Sequence, residues 1–187
     1  DHWRTRLSFG KAYRFPTVGE LYQAITTGST LTVPNPDLRP EKALSEELAV
    51  EYVTSSGTAR MSLFNESITD ALISQSAPLV AGSTTLYNYV QNVDRTRVRG
   101  VELAVEQNDI LPRFDVSASA TYTDSETRKD VAFPAAVGKL LPSVPRWKAS
   151  VVLTYRPDDA VSLTLAARYA SRNYATLDNS DIIGNTY

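Results

Sequence analysis

The stretch Trp147-Lys148-Ala149-Ser150-Val151-Val152-Leu153-Thr154-Tyr155 decides how the rest of the chain is read. Trp147, Ala149, Val151, Leu153 and Tyr155 occupy every second position, against Lys148, Ser150, Val152 and Thr154. A strand projects successive side chains to opposite faces, so this spacing makes one face continuously apolar with an aromatic ring at each end. The same design recurs on both sides of it. Phe114, Val116, Ala118, Ala120 and Tyr122 alternate with Asp115, Ser117, Ser119 and Thr121, and Val161, Leu163, Leu165, Ala167 and Tyr169 alternate with Ser162, Thr164, Ala166 and Arg168.

Working outward, Leu44, Leu48, Val50 and Tyr52 are set against Ser45, Glu47, Ala49 and Glu51, and Val101, Leu103 and Val105 against Glu102, Ala104 and Glu106. Trp3, Thr5, Leu7 and Phe9 oppose Arg4, Arg6 and Ser8; residues 60–73 are strand-like but less regular, because Leu63 and Phe64 are adjacent. Residues 44–50 and 70–73 also suit short helices on propensity, but Val50, Tyr52 and Val53 continue the strand pattern. The reading is all-β, with about seven strands.

Composition removes most alternatives. The 187 residues are 42% hydrophobic and 21% charged, which suits a folded chain rather than a disordered one. Nineteen basic against twenty-one acidic residues leave a charge of -2, so no positive field invites nucleic acid. Cysteine is absent and His2 is the only histidine. That excludes thiol catalysis, disulfides, Cys/His metal sites and the usual Ser-His pairs; no catalytic set, cofactor site or metal site is expected. No run of eighteen apolar residues could form a transmembrane helix, but membrane strands alternate and need no such run.

The connections fix the architecture. They fall at residues 10–41, 54–58, 76–84, 108–112, 125–145 and 156–159 and from residue 171 onward, so long and short alternate. In an up-and-down antiparallel sheet this puts tight turns at one end and long loops at the other, as in a large transmembrane β-barrel. Eight residue steps at about 3.3 Å and about 40° tilt rise roughly 20 Å, close to the about 25 Å apolar belt of such barrels. Tyr52, Phe114 and Tyr155 lie at the short-turn end, and Tyr122, Trp147 and Tyr169 at the long-loop end, which predicts two aromatic girdles. The competing reading is a soluble or surface β-sheet domain for adhesion or carbohydrate binding; an outer-membrane hydrolase is a third, weakened by the lack of a histidine other than His2.

Two segments carry a family resemblance. Tyr13-Arg14-Phe15-Pro16-Thr17-Val18-Gly19-Glu20-Leu21-Tyr22 and Asn35-Pro36-Asp37-Leu38-Arg39-Pro40-Glu41-Lys42 resemble the C-terminal barrel of TonB-dependent outer-membrane receptors. Asn92, Val93, Arg97, Gly100, Val101 and Glu102, and later Pro142 and Pro145, are similar to further motifs of that family. The resemblance implies a partial barrel across residues 1–187, incomplete in this chain, with the plug domain, the energy-coupling segment and the C-terminal strand outside it. It implies a receptor in the outer membrane of a Gram-negative bacterium that takes up a scarce nutrient, commonly a ferric siderophore or other iron chelate. Its implied partners are outer-membrane lipid, the plug, the TonB energy-coupling protein and that ligand. Residues 10–34 and 125–145 are then expected outside the cell, and residues 54–58 and 156–159 in the periplasm.

Within the motifs, Pro16, Glu20, Asn35, Pro36, Leu38, Pro40, Glu41, Asn92, Gly100 and Glu102 are expected to serve structure: prolines stiffen a loop, and Arg39 and Glu41 can lock it by charge. Gly100 inside a strand predicts a bulge or the close approach of another segment, such as the plug. Glu47, Glu51, Glu102 and Glu106 face away from the apolar band, toward an aqueous lumen, and serve as its lining rather than as a glycosidase pair. Arg95, Arg97 and Arg99 share the parity of Val101, so they stand above the lipid belt or are turned inward by a bulge at Gly100. Tyr13, Arg14, Tyr22, Tyr87 and Tyr89 are the ligand-contact candidates, since guanidinium suits anionic chelates and aromatic faces suit planar ligands.

Overall fold

A computed structural model describes residues 2–28, 30–77 and 86–187. In chain order the elements are β1 (Trp3–Arg14), helix α1 (Val18–Tyr22), β2 (Ile25–Thr27), β3 (Thr30–Val33), β4 (Glu41–Val53), β5 (Gly57–Ala77), β6 (Leu86–Leu111), β7 (Phe114–Lys129), a 3-10 turn at Pro134–Ala136, β8 (Trp147–Tyr155), β9 (Leu163–Ala170), β10 (Asn173–Tyr174) and β11 (Ile182–Ile183). The order β1-β4-β5-β6-β7-β8-β9 makes one open, up-and-down antiparallel wall. The hairpin β2–β3 joins it through parallel pairing of β3 with the start of β6. These are the seven wall strands that the alternation predicts.

The register makes the apolar face continuous. Across the wall, Trp3 lies opposite Tyr52, Tyr52 opposite Ala59, Ala59 opposite Val105, Val105 opposite Ala118, Ala118 opposite Val151 and Val151 opposite Ala167. Higher up, Leu7, Leu48, Leu63, Val101, Tyr122 and Trp147 form a second such row. A one-residue slip anywhere would turn a whole strand's apolar set to the other face, so six pairings kept in phase are the strongest sign of a single buried environment outside the sheet. No described residue of this chain supplies that environment: Leu7 is 62% and Leu165 68% exposed. Rings meet at both margins, Trp3 with Tyr52 at 4.8 Å and Phe114 with Tyr155 at 4.4 Å on one, Tyr122 with Trp147 at 4.9 Å on the other.

The turns at one end are tight. Thr54 donates its backbone N–H to the Gly57 carbonyl over 2.8 Å and so closes β4 onto β5, and Leu111 pairs with Phe114 across Pro112 and Arg113. Between β8 and β9, Asp158 accepts from the backbone N–H groups of Ala160 and Val161, both at 2.9 Å, so β9 begins at Leu163 rather than at Val161 as expected.

At the other end the strands outrun the predicted ones. β1 continues past Phe9 to Arg14, β5 to Ala77 and β7 past Tyr122 to Lys129, while β6 begins at Leu86. Residues 10–14 and 125–129 are therefore strand, not loop. Above the apolar belt the two faces of a strand no longer differ consistently in polarity, so the alternation that betrays a strand fades while the backbone pairing continues. Residues 44–50 and 70–73 are also strand, not helix. Of the connection expected at residues 76–84, residues 76 and 77 are strand and residues 78–84 lie outside the described residues. Within the tail read as loop, β10 pairs with β11, and Thr186 bridges back to Ala170 at the end of β9.

The one compact apolar cluster among the described residues lies at the long-loop end, where Ala71, Val93, Ala136 and Leu177 are buried with Ile68, Ile73 and Phe133 against them. Ile68 and Ile73 have opposite parity yet share it. Between them Asp70 stands at φ 55° and is skipped by the β5–β6 register, so the pleat changes sides there. Ile68 belongs to the face opposite the apolar ladder, so the segments carrying Phe133, Ala136 and Leu177 fold over the mouth of that inner face.

Candidate functional site

The inner face of the wall is polar through the belt. Arg4, Glu51 and Arg60 form one cross-strand row, and Ser8, Glu47, Phe64 and Gly100 another. Glu47 accepts from Arg60 at 2.8 Å and lies 3.5 Å from Arg6, while Arg4 lies 3.7 Å from Glu51. Glu102 accepts from the Thr121 hydroxyl at 3.4 Å. Glu47, Glu51 and Glu102 are thus matched to guanidinium or hydroxyl groups of neighbouring strands, the cross-strand pairing that suits a polar sheet face.

Gly100 sits in unbroken register between Val101 opposite Tyr122 and Arg99 opposite Asp124, so there is no bulge at this position. Close approach accounts for it instead. A Cβ added here would stand 2.1 Å from the Tyr122 carbonyl and 2.6 Å from the Phe64 ring, so the approaching groups come from the flanking strands themselves. With the register intact, Arg97 and Arg99 stay on the outward face above the belt, where they pair with Glu126 at 2.7 Å and Asp124 at 3.0 Å.

The motif residues converge above the belt. Thr17 caps α1: its hydroxyl accepts from the Glu20 N–H at 3.2 Å while its own N–H donates to the Glu20 carboxylate at 2.7 Å. Pro16 precedes the cap and cannot extend β1. Arg14, at the end of β1, reaches the same carboxylate at 2.7 Å and donates to the Leu72 carbonyl at 3.3 Å. Glu41 accepts the Leu72 N–H at 2.8 Å, so the two motif segments grip the backbone of one residue of β5, through both peptide groups that flank it, beyond the last rung of β4. The Thr17 backbone N–H, more than the Arg14 charge, holds the Glu20 carboxyl below its ordinary range, against the opposing effect of burial.

A second grip centres on Asn92. Its Oδ1 accepts the Arg39 N–H at 2.8 Å, and its Nδ2 donates to the carbonyls of Arg39 at 2.9 Å and Asp70 at 2.8 Å. The Arg39 guanidinium lies 2.7 Å from Asp70 and 3.6 Å from Asp94, and Asp94 in turn accepts the Val131 N–H at 2.9 Å. Asn35 donates to the Val90 carbonyl at 3.3 Å and accepts from the Asp37 N–H at 3.1 Å; Leu38, between Pro36 and Pro40, is buried. Asp70 and Asp94 were not singled out from the sequence. The left-handed φ of Asp70 is what exposes its carbonyl, and an aspartate before an apolar run gives no local sign of that.

The ligand-contact candidates do not converge. Tyr13 lies opposite Lys42 with the parity of the outward ladder, and the Lys11 ammonium stands 5.5 Å from its ring. Arg14 is committed to Glu20 and Leu72. Tyr22 is 69% exposed at the end of α1. Tyr87 and Tyr89, half-buried, pair with Leu31 and Val33 of β3 and share the parity of Val93, hence the inward side.

Comparison with known proteins agrees with this geometry. The family model "TonB dependent receptor-like, beta-barrel" matches residues 1–187. The chain belongs to the TonB-dependent receptor family, as part of its β-barrel, and such barrels reside in the outer membrane of Gram-negative bacteria; the family consists of transport receptors rather than enzymes. Among curated relatives, the hemoglobin and hemoglobin-haptoglobin-binding protein C of Haemophilus influenzae is 28% identical over 141 residues, 70% of this chain and 13% of that protein. An iron-regulated outer membrane virulence protein of Vibrio cholerae is 24% identical over 99% of this chain and 29% of its own length. Among solved structures, a copper transporter superposes with a TM-score of 0.73 at 20% identity over 98% of this chain and 27% of that one. The ferric enterobactin receptor of Pseudomonas aeruginosa superposes at 0.70 with 16% identity, over 100% of this chain and 30% of that one. The chain thus spans less than a third of the length of each of these proteins.

Proposed function

We propose that this chain forms wall and extracellular mouth of a receptor that draws a scarce nutrient, an iron chelate such as a ferric siderophore, across the outer membrane. The match of residues 1–187 to the receptor barrel carries this reading. In it, a plug domain closes the lumen behind the Arg4–Glu51–Arg60 and Glu47 rows, and a TonB protein supplies the energy that moves the plug. Tyr22, Tyr87 and Tyr89 are the contacts we assign to the ligand; Arg14 holds the loop through Glu20, and Tyr13 lies on the outward face. An alternative iron source, a haem protein, is favoured by the relatives named for hemoglobin binding. The soluble adhesion domain is the weaker reading, because the outward ladder is too broad and too exposed for a water-facing sheet.

The test is uptake of radiolabelled iron by cells that depend on the full receptor, supplied either as ferric siderophores or as hemoglobin. Energy-dependent uptake from the siderophore arm supports the proposal, and uptake from hemoglobin alone moves the assignment to the second source. No uptake of either would sink both.

A further inference from the structure

Beneath the segment that folds over the mouth, four buried oxygens have no hydrogen-bond partner among the described residues: Thr96 Oγ1, Ser125 Oγ, Thr127 Oγ1 and Asp130 Oδ2. The backbone places them together. Thr96 on β6 lies directly opposite Thr127 on β7, and Ser125, two residues from Thr127, shares its inward face. Directly opposite residues have Cβ atoms about 5 Å apart, close enough for two hydroxyls to share one small guest. Asp130 lies under the same roof: its Oδ1 accepts the Phe133 N–H at 2.9 Å, and Phe133 packs against the cluster of Ala71, Val93, Ala136 and Leu177. So does Ile68, the partner of Thr96 on β5. Thr127 is tied to that loop through the Lys139 carbonyl at 2.9 Å and the Gly138 N–H at 2.8 Å.

Thr96 and Thr127 are 0% exposed, Ser125 1% and Asp130 3%, so whatever partners these atoms is small and enclosed. A water molecule satisfies the hydroxyls but leaves the charge of a buried carboxylate uncompensated, which is costly. The neighbouring cations do not compensate it: Arg39 lies against Asp70 and Asp94, Arg128 against Glu126, and Arg95 and Lys129 are exposed on the outward side. We propose that Thr96, Ser125, Thr127 and Asp130 hold a single sodium ion, which pins the segment of residues 130–139 over the mouth of the lumen. Hydroxyl and carboxylate oxygens are hard donors that suit hard cations, and the charge count selects among those cations. One carboxylate among neutral hydroxyls matches one positive charge. The carboxylate of Asp94, beside Arg95 on β6, adds no second charge, because Arg39 and the Val131 N–H already engage it.

The full-length receptor in detergent, titrated with sodium chloride against choline chloride at constant ionic strength while its thermal unfolding is followed, provides the test. Sodium should raise the native midpoint saturably, and should slow tryptic cleavage after the exposed Lys139, read by mass spectrometry. Asp130→Asn and Thr127→Val should each lose both responses. Thr127→Val keeps the side-chain shape and removes an unpartnered hydroxyl, so in choline it should unfold no earlier than the native receptor, which separates loss of the ion from loss of the fold. Asp37→Asn, at an exposed carboxylate on the loop before β4, should respond as the native receptor does. Equal midpoints and equal cleavage of the native receptor in sodium and choline overturn the proposal. So does a sodium response that survives in both Asp130→Asn and Thr127→Val, or a response to calcium chloride that sodium does not give.

Discussion

At the scale of single residues, positions that the sequence marks only by residue type or motif carry sharp geometric demands. Gly100 is one. Val in its place should cost about 1–3 kcal/mol, because the added carbons meet the Tyr122 carbonyl as well as the Phe64 ring. The nearer obstacle is backbone, so Phe64→Ala should not restore the loss; urea unfolding of the full receptor in lipid reads both variants, and a neutral Gly100→Val would mean the strands can part there without penalty. Glu20 makes a pH-dependent demand. Its folded pKa lies below the ordinary 4.5, so the stabilisation it lends to α1 is complete above that value and is lost as pH falls through the lower, folded one. Proteolysis of the 15–40 segment in the full receptor should therefore accelerate only below about pH 4.5, and Glu20→Gln should flatten that dependence. An unchanged slope in the Gln variant would assign the titration to another carboxylate.

At the scale of elements, the belt portions of the strands were legible and their extensions were not. Residues 147–155 were read with both ends correct because Trp147 and Tyr155 mark where apolar surroundings stop. The alternation of β1 stops at Phe9 because Gly10 to Arg14 meet similar surroundings on both faces and so lose the two-residue period. The grip of Arg14 and Glu41 on Leu72 is legible in the sequence only as motif spacing, since its target is backbone and not a side chain. Loop lengths also fix orientation, with the segment after β7 expected outside and the β8–β9 turn in the periplasm. In a full receptor otherwise free of cysteine, an impermeant thiol reagent on intact cells should label Lys139→Cys and spare Asp159→Cys. Both side chains are exposed, so labelling of Asp159→Cys alone would reverse the topology.

At the scale of the whole molecule, the wall is stable only in a particular setting. Its sheet is two-faced: one side carries guanidinium–carboxylate pairs suited to water, the other a ladder running from Leu7 to Leu165 that none of the described residues covers. In water that ladder would drive association, and the free edge of β1 would offer its backbone groups to another strand. In a bilayer the same ladder is satisfied by acyl chains, provided each outward position stays apolar near the midplane. Val151 lies in the row of Val105, Ala118 and Ala167, and Leu165 lies one outward step nearer the short turns, opposite Leu153. Arginine at either should destabilise the full barrel by about 2–4 kcal/mol, while arginine at Thr164, on the inward face beside Thr154, should be tolerated. Equilibrium folding into lipid vesicles distinguishes these outcomes. Equal tolerance of Val151→Arg, Leu165→Arg and Thr164→Arg would mean that neither face meets hydrocarbon, and the assignment of the ladder to the membrane would fall.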